Sequence, residues 1–222
     1  KKFTGEEAVA HVVSQKSAPR FIARKLVQFL VMDEPLADDA LIAPLANQLE
    51  EDNFTVVGTI DSILRSNLFY SEYSYGRKIK SPIELAIGLM RSFRINTKLP
   101  DLHRSLREVG QAVFYPPNVK GWEGGRIWIN SSTLLGRSNL VHAMVTSEST
   151  TFNGDDLQTM LAKSKLQTPQ QIIDRIEQTL FAVSIGDDVK QQILTSQNGL
   201  DTAQQFTNIL HQLATLPQFQ LN

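Results

Sequence analysis

Both tryptophans of the chain, Trp122 and Trp128, fall in one stretch, FYPPNVKGWEGGRIWIN (114–130), interleaved with Lys120, Glu123 and Arg126. Indole rings set among charges suit two kinds of chemistry. Left exposed, they stack on a sugar ring or hold a cationic group. Buried, they form a wedge that caps the ends of surrounding helices. The sequence leaves both readings open, but it does constrain the backbone. Pro116 and Pro117 cannot continue a helix, so the preceding helix is expected to end near Tyr115. Gly121, Gly124 and Gly125 permit the positive φ that a tight turn or a close backbone approach needs. RIWIN alternates and reads as a short strand or an extended segment.

Other reactive constellations are missing from the sequence. There is no G-x-S-x-G elbow and no H-E-x-x-H pair, and GWEGG lacks the Lys-Ser/Thr of a phosphate-binding loop. With no cysteine there is no thiolate nucleophile, disulfide or zinc–thiolate site. His11, His103, His142 and His211 lie singly on four predicted helices, and no pair has metal-ligand spacing, so neither a metal nor a cofactor is expected. The acidic doublets Asp38-Asp39, Asp155-Asp156 and Asp187-Asp188 stand beside predicted helix starts, where carboxylates satisfy orphan amides. A two-carboxylate glycosidase stays open, because acid and nucleophile can lie far apart in sequence.

A chain of 222 residues buries roughly 70% of its unfolded surface and needs no staple to fold. No apolar run approaches the roughly 18–20 residues of a membrane span. The net charge of −1 hides an asymmetry: residues 77–137 hold 11 basic and 4 acidic side chains, between acidic flanks. Such a basic middle attracts anionic ligands or pairs with those flanks. Nucleic acid is a poor fit, since no reading motif accompanies it.

These residues must be positioned by helices. Thr4-Gly-Glu-Glu7 is a capping box. APRFIARKLVQFLV follows Ser17 with a stripe of Phe21, Ala23, Leu26, Val27 and Leu30 and is expected to stop before Pro35. DDALIAPLANQLEED reads as a helix kinked or started late at Pro44. Residues 55–67 place Ile60, Ile63 and Leu64 inward. Ser81-Pro82-Ile83-Glu84 joins a capping box to a first-turn proline, ahead of Ile83, Ala86, Ile87, Met90 and Phe93 on one face. PDLHRSLREVGQAVF carries Leu102, Leu106, Val109 and Val113, and SSTLLGRSNLVHAMV returns to helix after the loop. Asn153-Gly154 marks a turn, Thr168-Pro169 opens QQIIDRIEQTLFAV, and Asp187 and Asp201 begin the last two helices. The fold class expected is mainly α: a single compact domain of eight to ten helices with one irregular loop. Residues 1–147 would form the core and 148–222 a C-terminal helical tail packed on it.

APRFIARKLVQFLV, ILRSNLFY, KIKSPIELAIGLMR and above all GQAVFYPPNVKGWEGGRIWIN followed by LLGRSN closely resemble the bacterial family labelled domain of unknown function 1800, over about residues 8–147. The tail matches it only loosely. The resemblance implies an exported protein, periplasmic or at the cell surface, of which this chain is the C-terminal portion. It supplies no reaction. Physically, Lys80 precedes a helix N-terminus, where a positive charge is unhelpful, so it predicts a partner in Glu84, Glu123 or an anion. Arg91 and Arg137 offer planar forks for carbonyls or carboxylates. Gln111 and Asn118 suit pinning of irregular backbone.

Two functions fit this inventory, beside simple scaffolding by the loop. The first is a noncatalytic binding or assembly module that takes a glycan or another anionic or polymeric extracellular ligand. Its ligand residues would be Trp122, Trp128, Lys120, Glu123 and Arg126, with Lys80 and Arg91 adding charge. The second is part of an extracellular hydrolase acting on a polymer, with Glu123 as first carboxylate and the site completed by a missing N-terminal half.

Overall fold

The computed structural model describes residues 2–181 and 184–222. Eleven α-helices, two short 3-10 helices and one two-stranded sheet make up the described residues, so the mainly-α class holds with one helix more than the upper expectation. Contacts group the chain into two compact units, Lys1–Lys78 and Ile79–Asn222.

The first unit contains α1 (Gly5–Val13), α2 (Ala18–Leu30), α3 (Asp39–Glu51) and α4 (Val56–Leu64). Thr4 closes the predicted capping box with Glu7. Ala23, Val27, Ile42, Ala46, Leu49 and Ile63 are the centre of its core, with Ile22, Leu26 and Leu30 packed at the edge. Phe21, placed in the α2 stripe by periodicity, is exposed instead. At about 100° per residue it sits roughly 200° around the helix from Ala23, so burying the Ala23–Val27 line turns Phe21 outward. α3 runs through Pro44, so the late start does not occur; Asp38 caps it, its Oδ1 accepting from Leu41 N at 2.9 Å.

The second unit holds α5 (Pro82–Phe93), β1 (Ile95–Asn96), α6 (Leu99–Glu108), a 3-10 helix at Gly125–Trp128, and α7 (Ser131–Thr146). It continues with β2 (Thr151–Phe152), α8 (Leu157–Ser164), α9 (Pro169–Leu180), α10 (Asp187–Thr195), α11 (Thr202–Thr215) and a 3-10 helix at Pro217–Gln220. Within RIWIN, Arg126–Trp128 therefore belong to a 3-10 turn, and only Ile129 and Asn130 are extended. The sheet is elsewhere, pairing Ile95 with Phe152 and Asn96 with Thr151 antiparallel. The Asn153–Gly154 turn follows it, both residues at positive φ.

α11 is the axis of this unit, packed on α7 and α9. Its Phe206, Ile209, Leu210 and Leu213 meet Leu85, Ala86 and Leu89 of α5, Leu140 and Val141 of α7, and Ile172, Ile173 and Ile176 of α9 in one continuous core. Residues 148–222 thus share a core with residues 79–146. On α5 the buried line is Leu85–Ala86–Leu89, and Ile87 faces solvent. Capping boxes at Ser81, Asn130, Thr168 and Asp201 fix four of the helix starts. Asp187 begins α10 as expected, in its first turn behind the cap residue Gly186. The end of QQIIDRIEQTLFAV, Ala182 and Val183, lies outside the described residues.

Candidate functional site

The stretch 114–130 is held between the end of α6 and the start of α7. α6 closes in a Schellman arrangement: Gly110 N donates to Arg107 O at 3.1 Å and Gln111 N to Leu106 O at 2.9 Å. Gly110 takes φ 92°, which costs a residue without a Cβ nothing sterically. The helix consequently stops at Glu108 rather than near Tyr115. Gly110 is the stop signal, and Pro116–Pro117 act in a loop already under way. At the far end Asn130 Oδ1 accepts from Thr133 N at 2.9 Å, and Thr133 Oγ1 accepts from Asn130 N at 2.8 Å.

Local bonds fold the loop between these anchors. Asn118 Oδ1 accepts from Lys120 N at 2.8 Å and its carbonyl accepts from Gly121 N at 3.1 Å. Gly121, Gly124 and Gly125 have φ of 82°, 79° and 59°, the left-handed values their positions suggested.

Within this frame the two indoles separate in role. Trp128 is only 6% exposed, and a Cβ added at Gly110 would stand 3.9 Å from its Cζ3. It is the wedge between the two helix ends. Trp122 is half-buried and lines a concavity of about 380 Å³ with Val109, Gly110, Pro117, Asn118, Glu123, Ile127, Trp128 and Thr133. Its Nε1 is buried and has no hydrogen-bond partner among the described residues. An unsatisfied N–H of this kind costs about 1–3 kcal/mol, and such groups are rare enough in folded proteins to need a reason. Glu123 is exposed at the rim and is the single acidic residue lining the concavity among the described residues. Lys120 and Arg126 are exposed and outside its lining, and Pro116 is likewise outside it.

Three other candidates serve a different place. Arg137 is 1% exposed, donating from Nε to Gln220 Oε1 at 2.7 Å and from Nη2 to Lys80 O at 2.9 Å. Burial pulls its guanidinium down to about 10, still protonated at neutral pH, and its Nη1 is unpartnered among the described residues. Lys80 Nζ donates to Phe219 O at 2.8 Å and stands 4.1 Å from the centroid of the Phe219 ring. Burial, and then the neighbouring Arg137, lower it to about 8, with Glu84 acting the other way. So Lys80 finds a carbonyl and a ring face where a carboxylate or anion was expected. Gln111 Oε1 accepts from Ile83 N at 2.9 Å, pinning the first turn of α5. These contacts strap the segment Pro217–Gln220 across the start of the unit.

Arg91 lies on a third surface, a broad depression shared with Arg94, Met90, Asn96, Asn153 and Gly154. Its volume of about 690 Å³ is larger, but it is open and has no aromatic wall. The Trp122 concavity has the apolar walls with few polar groups that small-ligand sites show.

No group of three or more His, Asp or Glu is placed to hold a metal ion among the described residues. His142 and His211 do meet edge to face, ring centroids 5.3 Å apart, with His211 Nε2 2.9 Å from Ser138 Oγ and 3.2 Å from Ser138 O. The roles in these contacts follow the ring's tautomer: Nε2 either donates to the Ser138 oxygens or accepts from the Ser138 hydroxyl.

Sequence reasoning missed Val109, Gly110, Ile127 and Thr133 as lining residues. Two signals were available: a glycine after a helical run, and the Asn130-x-x-Thr133 cap. Gln220 and Phe219 had none, since their partners are far away in the chain. The family described as "Protein of unknown function (DUF1800)" matches residues 1–221, beyond the span of the shared motifs and through the C-terminal segment. No curated protein and no solved structure matches the chain.

Proposed function

We propose, for a chain that belongs to this family of proteins of unknown function, a noncatalytic binding module whose site is the Trp122 concavity and whose ligand is a glycan. The observation that carries this reading is an indole wall beside an exposed carboxylate. A sugar ring offers an apolar face for the indole and hydroxyls that donate to a carboxylate. Its hydroxyls would meet Glu123 and the Asn118 amide at the rim. Binding in the periplasm or at the cell surface, alongside an N-terminal half of the same protein, extends the proposal and rests on the motif resemblance alone.

The hydrolase reading is less well supported. Glycoside cleavage uses two carboxyl groups roughly 5–10 Å apart, and the concavity has Glu123 without a second acid among its described lining. A glycan array probed with the purified protein, followed by titration calorimetry on the hits, tests the proposal. Binding should be lost in Trp122→Ala and weakened in Glu123→Gln, with no bond cleavage in the bound oligosaccharide. An array without hits, or hits that Trp122→Ala leaves unchanged, would remove the concavity as the site.

A further inference from the structure

A hollow with basic walls forms where the end of α5, the β1–β2 pair, α8 and α9 come together, and no residue of the loop 114–130 lines it. The antiparallel pairing of Ile95 with Phe152 sets Arg94 beside Asn153. Asn153 N donates to the Arg94 carbonyl at 2.8 Å, and Arg94 Nη1 donates to Asn153 Oδ1 at 3.1 Å. These two residues are shared by the broad depression beside Arg91 and by a second one of about 330 Å³. The second depression has an apolar side, formed by the half-buried Phe93, Met160 and Leu166.

Its charge comes from separate elements. Arg94 stands at the end of α5 and Arg175 in the middle of α9, with Arg91 in the adjoining depression. Lys163 is already committed: its Nζ lies 2.8 Å from both carboxylate oxygens of Asp155, the single acidic residue of either lining among the described residues. No ion pair engages Arg91, Arg94 or Arg175 among the described residues. Cations in a last helical turn suit the macrodipole, which accounts for Arg91 but not for Arg175. Arg94 adds an independent sign. It caps α5 at φ 51°, a conformation that favours glycine and disfavours a Cβ. The side chain, not the backbone, therefore accounts for an arginine at this position, and Asn153 takes only one of its N–H groups.

Guanidinium groups without carboxylates select an anion with several oxygens. A phosphate monoester carries a charge of about −1.5 to −2 and accepts hydrogen bonds from more than one planar fork at once. The apolar side of the hollow adds a place for a carbon skeleton, as small-ligand sites do. We propose that this hollow binds a small organic phosphate. Arg94 and Arg175 hold the phosphoryl group with Arg91 beside them, and the carbon portion rests on Phe93, Met160 and Leu166.

Titration calorimetry of the whole chain with adenosine monophosphate and with phenyl phosphate tests this, beside adenosine and inorganic phosphate. At least one ester should bind saturably, with affinity falling as salt rises. Adenosine and inorganic phosphate should each bind about ten-fold or more weakly than that ester, since each lacks one half of the contact. Arg94→Gly removes the guanidinium and suits the positive φ, so affinity should fall about ten-fold or more while the thermal midpoint stays near that of the wild type. Arg175→Gln changes an exposed side chain and should weaken binding in the same way with helicity intact. Trp122→Ala should leave ester binding unchanged, so this proposal and the glycan reading can fail separately. Failure of both esters to bind, binding that survives both arginine variants, or inorganic phosphate binding as tightly as the esters overturns the inference.

Discussion

Replacing Trp128 with alanine removes the largest side chain between the ends of α6 and α7, and should cost about 3–5 kcal/mol in denaturant unfolding. Trp122→Phe keeps an aromatic ring but removes the unpartnered N–H together with the rest of the five-membered ring, so relief of that N–H offsets part of the lost packing and the cost should stay well below that of Trp128→Ala. Equal losses from both variants would mean that the indoles share one structural role. Arg137 allows a third comparison. A lysine in its place cannot reach both Gln220 Oε1 and the Lys80 carbonyl with the same fork. Arg137→Lys should therefore lose at least one charge-assisted hydrogen bond, about 1.5–3 kcal/mol, and thermal unfolding would show it. The residue types around the loop were legible in the sequence, and so was the positive φ of its glycines. Which indole is wedge and which is wall was not, because that depends on the distance between two helix ends and not on composition. Lys80 shows the same limit: its misfit with the α5 N-terminus could be read, but Phe219, the partner that resolves it, lies 139 residues away.

Helix starts were the most readable elements, since a capping box is chemistry within four residues. Ser81, Asn130, Thr168 and Asp201 all begin helices through contacts of that range. Elements made by tertiary contact were not readable. β1 and β2 are two residues each and exist only because Ile95 meets Phe152. RIWIN alternates like a strand, yet Gly124 and Gly125 at positive φ start a 3-10 turn that takes in Arg126–Trp128 and leaves only Ile129 and Asn130 extended. The α7–α11 contact yields a pH prediction at this scale. Burial, and then His142, lower the His211 pKa, against a smaller rise from its bond to Ser138. A folded pKa below the unfolded value of about 6.5 means the unfolded chain binds the proton first. Stability is then fully present above about pH 6.5 and declines as pH falls from there toward the lower folded value. Urea midpoints measured from pH 8 to pH 5 should show this decline, and His211→Gln should flatten it. An unchanged slope in the variant would assign the decline to other groups.

Across the whole molecule, the two compact units have separate cores: one centred on Ala23, Val27, Ile42 and Leu49, the other on Leu85, Leu140, Ile172 and Leu210. Because the second core draws every member from residues 79–222, that segment should fold alone. Its circular dichroism should be helical and cooperative in melting, with Trp128 still shielded from acrylamide; a non-cooperative melt would show that the division into units is not one of stability. The mainly-helical class could be read from periodicity, whereas a boundary at Lys78 could not, since no Gly/Ser/Pro-rich linker marks it. The binding proposal places Trp122 in this second unit, so the most direct test uses the fluorescence of the two indoles. Titration of the wild-type chain with an oligosaccharide found on the array should shift the emission saturably and shield one indole from acrylamide, and Trp122→Phe should abolish both effects. If no oligosaccharide changes the emission, or if the change persists in Trp122→Phe, the concavity beside Trp122 is not a glycan site.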